Sequence, residues 1–176
     1  MAAEGFMALV LRDGSRVFVR RIRAEDAAAL QRLVGRSSDR SIELRFFGPM
    51  KELSDEMARR FADVDGEDRF ALVALDPQDP DEIVAVVRYA REEETDGAEY
   101  AALIEDRFQG KGLGIGMTRS LIGEARENGI GHLHALVMKE NRGMLRLLRS
   151  LRLPERVRWK DGAERVEIDL RSGGSA

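Results

Sequence analysis

The sequence predicts a single α+β domain built on a mixed sheet of about six to seven strands flanked by about four helices. Three observations carry that expectation. Strand and helix signals run β-α-α-β-β-β-α-β-α-β-β, so a meander precedes a βαβ unit. No linker or internal repeat divides the 176 residues, a length suited to one full core. The composition, 43% hydrophobic and 35% charged, is that of a globular chain.

Leu9-Val10-Leu11, the Asp13-Gly14 turn and Val17 to Ile22 read as a hairpin feeding a strand. Residues 1–16 are thus a lead-in strand or hairpin to a domain spanning 17–171. Ala24-Glu25-Asp26 opens a helix whose early acids complement the helix dipole, and Ala27, Leu30, Leu33 and Val34 repeat at helical spacing. Arg36 to Pro49 reads as irregular, broken at Ser37, Ser38 and Gly48-Pro49. Ser54 can cap a second helix carrying Met57, Ala58, Phe61 and Ala62. Phe70 to Leu75 is short and continuously apolar, as a buried strand should be. Ile83 to Arg91 and Glu99 to Asp106 are the next strands, separated by an acidic loop from Glu92 to Gly97. A helix from about Leu113 to Asn128, a strand from His132 to Met138 and a helix from Asn141 to Ser150 follow. A hairpin, Arg156 to Lys160 and Arg165 to Leu170, turns at Asp161-Gly162, and residues 172–176 form a flexible tail.

Composition excludes several classes of chemistry. With no cysteine there is no disulfide, thiolate metal site or cysteine nucleophile. A net charge of -3 offers no global attraction to nucleic acid or anionic membrane. No apolar run approaches the ~20 residues of a membrane span, and the amino terminus lacks a basic signal region. The expectation is a soluble cytoplasmic protein. His132 and His134 alternate on a strand without an evident third ligand, so they read as two partly exposed histidines rather than a metal site.

The segment Gln109-Gly110-Lys111-Gly112-Leu113-Gly114 carries the most chemistry. A strand that ends in a glycine-rich turn and opens a helix gathers unpaired backbone N–H groups at the positive end of a helix dipole, which is an anion site. Lys111 adds charge at its rim. Two common phosphate patterns fail on spacing. A Walker loop would need a glycine at Glu105 and Ser or Thr at Gly112, and a dinucleotide fingerprint would need a third glycine at Ile115 or Met117.

Gln109-x-x-Gly112-x-Gly114 does resemble the Gln/Arg-x-x-Gly-x-Gly/Ala motif of the GNAT superfamily of N-acetyltransferases. The resemblance runs from about Val17 to Leu151 and includes Val19 to Asp26. It implies the GNAT fold, acetyl-CoA as cosubstrate without a metal, and contacts to coenzyme A from Gln109, Gly110, Lys111, Gly112, Leu113, Gly114 and Ile115. Lys139 to Leu148 resembles the family's next motif, in which an asparagine, here Asn141, heads a helix beside the pantetheine arm. Asn141 also suits an ordinary helix cap, and both roles can hold. Where the family commonly continues Gly-Phe, this chain has Leu151-Arg152-Leu153-Pro154, and no tyrosine stands nearby to protonate the leaving thiolate.

Ala98 to Gly110 resembles the corresponding strand of Pat-type bacterial protein lysine acetyltransferases, as do Ser41 to Pro49 and Asp63-Val64-Asp65. In that subgroup the glutamate at the position of Glu99 is the base. Chemistry requires one, because an ammonium cannot attack a thioester until it loses a proton. From composition alone Glu99 is an exposed carboxylate beside an acidic loop. Strand alternation places it on the face of Ala101 and Leu103, opposite Tyr100, Ala102 and Ile104. Glu105 is expected to point out. The resemblance further implies that a backbone N–H near Leu103 or Ile104 polarises the acetyl carbonyl.

The implied activity is direct acetyl transfer to a primary amine, with a protein lysine favoured. A small-molecule amine acetyltransferase and a non-catalytic coenzyme A sensor are the alternatives. Glu92, Glu93, Glu94 and Asp96 would attract either kind of cationic acceptor. Neither nucleic acid nor membrane is an expected partner, and monomer and homodimer both fit. The length leaves no room for the fused regulatory domain that many Pat-type relatives carry.

Overall fold

The computed structural model describes residues 5–172, so residues 173–176 of the expected flexible tail lie outside the described residues. In chain order the elements are β1 (Met7–Val10), β2 (Arg16–Arg21), α1 (Ala27–Arg36), α2 (Asp39–Phe46), α3 (Asp55–Ala62), β3 (Arg69–Leu75), β4 (Ile83–Arg91), β5 (Gly97–Ile104), α4 (Leu113–Glu127), β6 (His132–Val137), α5 (Arg142–Ser150), β7 (Glu155–Lys160) and β8 (Ala163–Asp169). Short 3-10 turns, Ala24–Asp26 and Asp106–Phe108, precede α1 and the glycine turn.

The strands form one mixed sheet in the order β1-β2-β3-β4-β5-β6-β8-β7. Neighbours are antiparallel except β5 and β6. This is the α+β class expected, with eight strands instead of six to seven and five helices instead of four. The additional strand is the lead-in, which pairs Met7 to Val19 through Val10 to Arg16. The additional helix is α2, in the stretch that reads as irregular. Its start is encoded: the Ser38 hydroxyl accepts the Ser41 N–H at 3.2 Å. Its apolar periodicity is not, because only Ile42 among its residues is buried. It ends where Phe47 turns left-handed at φ 61°.

Alternation sorts the strands onto two cores. Phe70, Leu72 and Ala74 face the layer of α4 and α5, while Ala71, Val73 and Leu75 face α1, α2 and α3. A strand covered on both faces has no polar face to show, which explains the unbroken apolar run at 70–75. Glu99 follows the expected alternation: Ala98 and Tyr100 lie in the α4/α5 core, and Leu103 lies in the α1–α3 core. The β6 strand repeats this, with Leu133, Ala135 and Val137 turned toward α4 and α5. Among the described residues no helix is long and apolar enough to cross a membrane.

Candidate active site

The sheet comes apart in its middle. β5 and β6 pair only at Gly97–His132, Ala98–Leu133 and Glu99–His134, although β5 continues to Ile104 and β6 to Val137. Beyond Glu99 the two strands diverge, and the backbone groups that would have joined them face a gap. The register says which groups those are. Glu105 donates its N–H to Val84 at 2.9 Å, so residue 105 is a hydrogen-bonding position toward β4. Antiparallel alternation then turns Leu103 toward Val86 on β4, and turns the N–H groups of Ala102 and Ile104 toward the gap. Of the two residues named from sequence, Ile104 presents its donor there and Leu103 does not. The gap widens into a cleft of about 810 Å³.

The glycine turn lies at one side of this cleft. Gly110 and Gly112 hold φ of 72° and 88°, left-handed values that side chains disfavour, and Gly112 is the N-cap of α4. At Gly114 the constraint is space: a Cβ would meet the Ile104 Cδ1 at 2.6 Å and the Leu147 Cδ1 at 2.9 Å. The first N–H groups of α4 have no partner inside the helix. Gly110, Gly112, Gly114 and Ile115 all line the cleft beside them. Gln109, also on the lining, donates to the Ile104 carbonyl at 2.8 Å and to the Ser41 hydroxyl at 3.1 Å, tying the turn to β5 and α2. Lys111 turns instead to Asp13, 3.4 Å away, and over the Phe108 ring. The Leu113 side chain is in the core, leaving its backbone for the turn.

Asn141 heads α5 and accepts the Met144 N–H at 3.1 Å, so the cap is real, and its side chain also borders the cleft. Two arginines absent from the sequence reading stand here. Arg146, on α5, lines the cleft. Arg12, from the β1–β2 turn, donates its backbone N–H to the Lys111 carbonyl at 2.9 Å and its guanidinium to the Gly110 carbonyl at 3.4 Å. No local motif marks Arg12, because only the fold brings residue 12 to residue 110.

Across the sheet, the opposite wall is made by Glu99 and the end of α2. Glu99 is exposed and lines the cleft together with Leu44, Arg45, Phe46 and Phe47. Arg45 lies over the Phe46 ring at 4.6 Å and has no hydrogen-bond or ion-pair partner among the described residues. Burial pulls its guanidinium pKa down, and the Glu99 carboxylate opposes that. Behind it Arg88 donates to the Phe61 carbonyl at 2.7 Å, and burial, with Arg45 and Arg69 nearby, lowers its pKa to about 10. Arg45 falls within the Ser41 to Pro49 stretch that resembles Pat-type enzymes, but its own place in the site was not read because its helix was not legible.

Glu105 points away from the glycine turn, as expected, but into the protein: it is buried and bound by Arg36 at 3.1 Å and Arg107 at 2.5 Å. One expectation for a nearby group is corrected. His134 is not partly exposed but only 4% accessible. It sits opposite Glu99 in the only paired stretch of β5 and β6, where the sheet is closed.

Both tyrosines of the chain are engaged elsewhere. Tyr100 shares a 2.8 Å hydrogen bond with Thr118, and burial pushes its pKa up to about 12. Tyr89 donates to the Glu67 carbonyl at 2.9 Å. Neither hydroxyl serves the cleft. No group of three or more His, Asp or Glu able to hold a metal occurs among the described residues.

A sheet parted between parallel strands, with a glycine turn opening a helix on one face and an exposed carboxylate on the other, has the architecture of a coenzyme A-dependent acyltransferase. The family model for the acetyltransferase (GNAT) domain matches residues 16–153. The chain belongs to that family and is an acetyl-CoA-dependent acetyltransferase. An acetyltransferase of Pseudomonas aeruginosa is 34% identical over 135 residues, covering 76% of this chain and 73% of the relative. The GNAT domain of S. lividans PAT superposes with a TM-score of 0.85 at 32% identity, over 93% of this chain and 96% of that one. The protein yncA of Salmonella typhimurium, solved with its cofactor acetyl-CoA, has a TM-score of 0.68 at 16% identity, over 90% and 96% of the chains. At that identity it speaks for the fold alone.

Proposed function

We propose that this acetyltransferase modifies a lysine ε-amine of a protein, with Glu99 as the base. The carrying observation is the position of Glu99: an exposed carboxylate at the point where β5 and β6 part, on the sheet face opposite the glycine turn. That separation lets the cofactor and the acceptor approach from opposite faces and meet in the gap. Similarity to the S. lividans PAT domain over nearly its full length supports a protein acceptor, as does the open α2 wall.

The residues fit acetyl-CoA. Gly110 and Gly112 provide the left-handed backbone, Gly114 the close approach, and α4 the N–H groups for a pyrophosphate. Arg12 and Arg146 add positive charge on the same side, and the free amide N–H groups of Asn141 suit the pantetheine arm. When bound, acetyl-CoA supplies an electrophilic thioester carbonyl. Glu99, directly or through one water, takes the ammonium proton and frees the amine lone pair. The N–H groups of Ala102 and Ile104, fixed at the gap, stabilise negative charge on the carbonyl oxygen. The hydroxyls of Tyr100 and Tyr89 are engaged with Thr118 and the Glu67 carbonyl, so neither is assigned as the donor to the thiolate.

The test is an acetylation screen by mass spectrometry, with acetyl-CoA and two acceptor sets: a cellular protein extract and a panel of small amines. Site-specific lysine acetylation of proteins, with little product from the amines, is expected. Product from small amines only would replace the acceptor assignment, and binding of acetyl-CoA with no product would make the protein a sensor.

A further inference from the structure

We infer that His134, braced by Glu92, stores the proton that Glu99 removes from the acceptor; this rests on the reading of Glu99 as the base. When cofactor and acceptor both fill the cleft, the open side of Glu99 is covered. The proton then needs a place away from the reacting groups.

The geometry provides one directly behind. Glu99 and His134 are register partners on adjacent parallel strands, about 4.8 Å apart between backbones, and both point to the face away from α4 and α5. Glu99 lines the cleft and His134 does not. The His134 Nε2 lies 3.0 Å from a Glu92 carboxylate oxygen, while its Nδ1 is buried with no hydrogen-bond partner among the described residues. A neutral ring that donates from Nε2 to a carboxylate keeps its lone pair on Nδ1. Buried polar atoms are nearly always paired, so the unpartnered Nδ1 is an exception that a proton-accepting role accounts for.

The surroundings set the resting state. Burial lowers the His134 pKa, Arg165 on β8 and His132 lower it further, and Glu92 and Glu99 oppose them; Glu167 stands opposite in register on β8. The ring is therefore neutral at neutral pH and ready to accept. The sequence of transfers balances. One proton leaves the ammonium nitrogen for the Glu99 carboxylate, and passes to Nδ1, directly or through one water. The resulting imidazolium is held by Glu92, 3.0 Å from Nε2. When product leaves, Nδ1 returns the proton through Glu99 to water, and every group is restored.

Three variants test this, with kcat measured from pH 5 to 9. His134→Gln keeps a donor for Glu92 but cannot take a proton. We expect kcat to fall about tenfold while the KM for acetyl-CoA and the melting temperature hold, a loss within the range of acid–base contributions. Wild-type kcat should fall as pH drops through the depressed His134 pKa, below the ordinary value of about 6.5. That limb should vanish in His134→Gln and move to lower pH in Glu92→Gln. A His134→Gln enzyme with wild-type kcat and an unchanged limb overturns the proposal. A ring-proton NMR titration is independent of turnover. In a His132→Gln background one histidine signal remains, and adding Glu99→Gln should lower its midpoint. An unmoved midpoint overturns the relay, whereas absence of lysine acetylation with a moved midpoint overturns only the acceptor assignment.

Discussion

On the cofactor side of the cleft, Gln109 to Ile115 and Asn141 to Ser150 are short continuous runs, each ending a strand or opening a helix. On the proposed acceptor side, Glu99 comes from β5 and Arg45 and Phe46 from α2, with Arg88 of β4 behind them. The two sides differ in what they must do. A pyrophosphate is bound by backbone groups, and backbone conformation is dictated locally, by glycine and by helix ends. An acceptor is read by side chains whose neighbours are set by the sheet. The first side is therefore a motif and the second is an assembly. Substitutions can separate them.

The largest effect belongs to Glu99→Gln. It removes the proposed base and leaves shape and size nearly unchanged. We expect kcat to fall by roughly 10²–10⁴-fold, while the Kd for coenzyme A by calorimetry stays within about twofold. A variant that kept its turnover would break the division of labour across the sheet.

Gly114→Val attacks the other side. Its Cβ would displace the ends of Ile104 and Leu147, both of which line the cleft. Because those ends are mobile, valine is chosen over alanine. Overpacking of this kind costs about 1–3 kcal/mol, so coenzyme A affinity should fall at least about tenfold. Single-turnover rates at saturating acetyl-CoA should fall much less than in Glu99→Gln.

These contrasts match what was legible beforehand. The turn and the Asn141 cap could be read because each is a local pattern with a local cause. Glu99 could be placed on a face because strands alternate strictly, and both cores agree with that assignment. Arg12 could not be found, and Arg45 was covered only by the Ser41 to Pro49 resemblance, without a role of its own. Arg12 reaches Gly110 across 98 residues, and Arg45 sits on a helix with only one buried residue. The strand count ran short because the edge strand β1 alternates exposed and half-buried positions, with no fully buried face to signal it. The burial of Glu105 was not legible because it depends on Arg36, 69 residues away, as well as on Arg107.

Arg45→Met keeps the packing over Phe46 and removes the guanidinium. Arg45 lines the cleft with Glu99 and has no hydrogen-bond or ion-pair partner among the described residues. A hydrogen bond to a charged group contributes about 1.5–3 kcal/mol, so the acceptor KM should rise about tenfold or more. The Kd for acetyl-CoA should not move. A change in cofactor affinity alone would transfer Arg45 to the other side of the comparison.

The smallest effect tests the seam between the sides. Asp106, in the turn leading to Gln109, accepts the Ser38 N–H at 2.9 Å, the Ser38 hydroxyl at 2.7 Å and the Ser41 hydroxyl at 3.1 Å, pinning the start of α2. Burial pushes the Asp106 pKa up, but the bonds from Ser38 and Ser41 outweigh it and hold the carboxyl below the ordinary aspartate range. A depressed pKa in the folded state means that the stabilisation is complete above the unfolded value and fades as pH falls through the folded one. Asp106→Ala should lower stability by about 1–3 kcal/mol at pH 7, with a smaller difference from wild type in acid. Because α2 carries Arg45 and Phe46, the acceptor KM should rise a few-fold at neutral pH. If the KM for acetyl-CoA rose equally, the seam would be transmitting strain to the glycine turn, through the Gln109–Ser41 hydrogen bond that joins them.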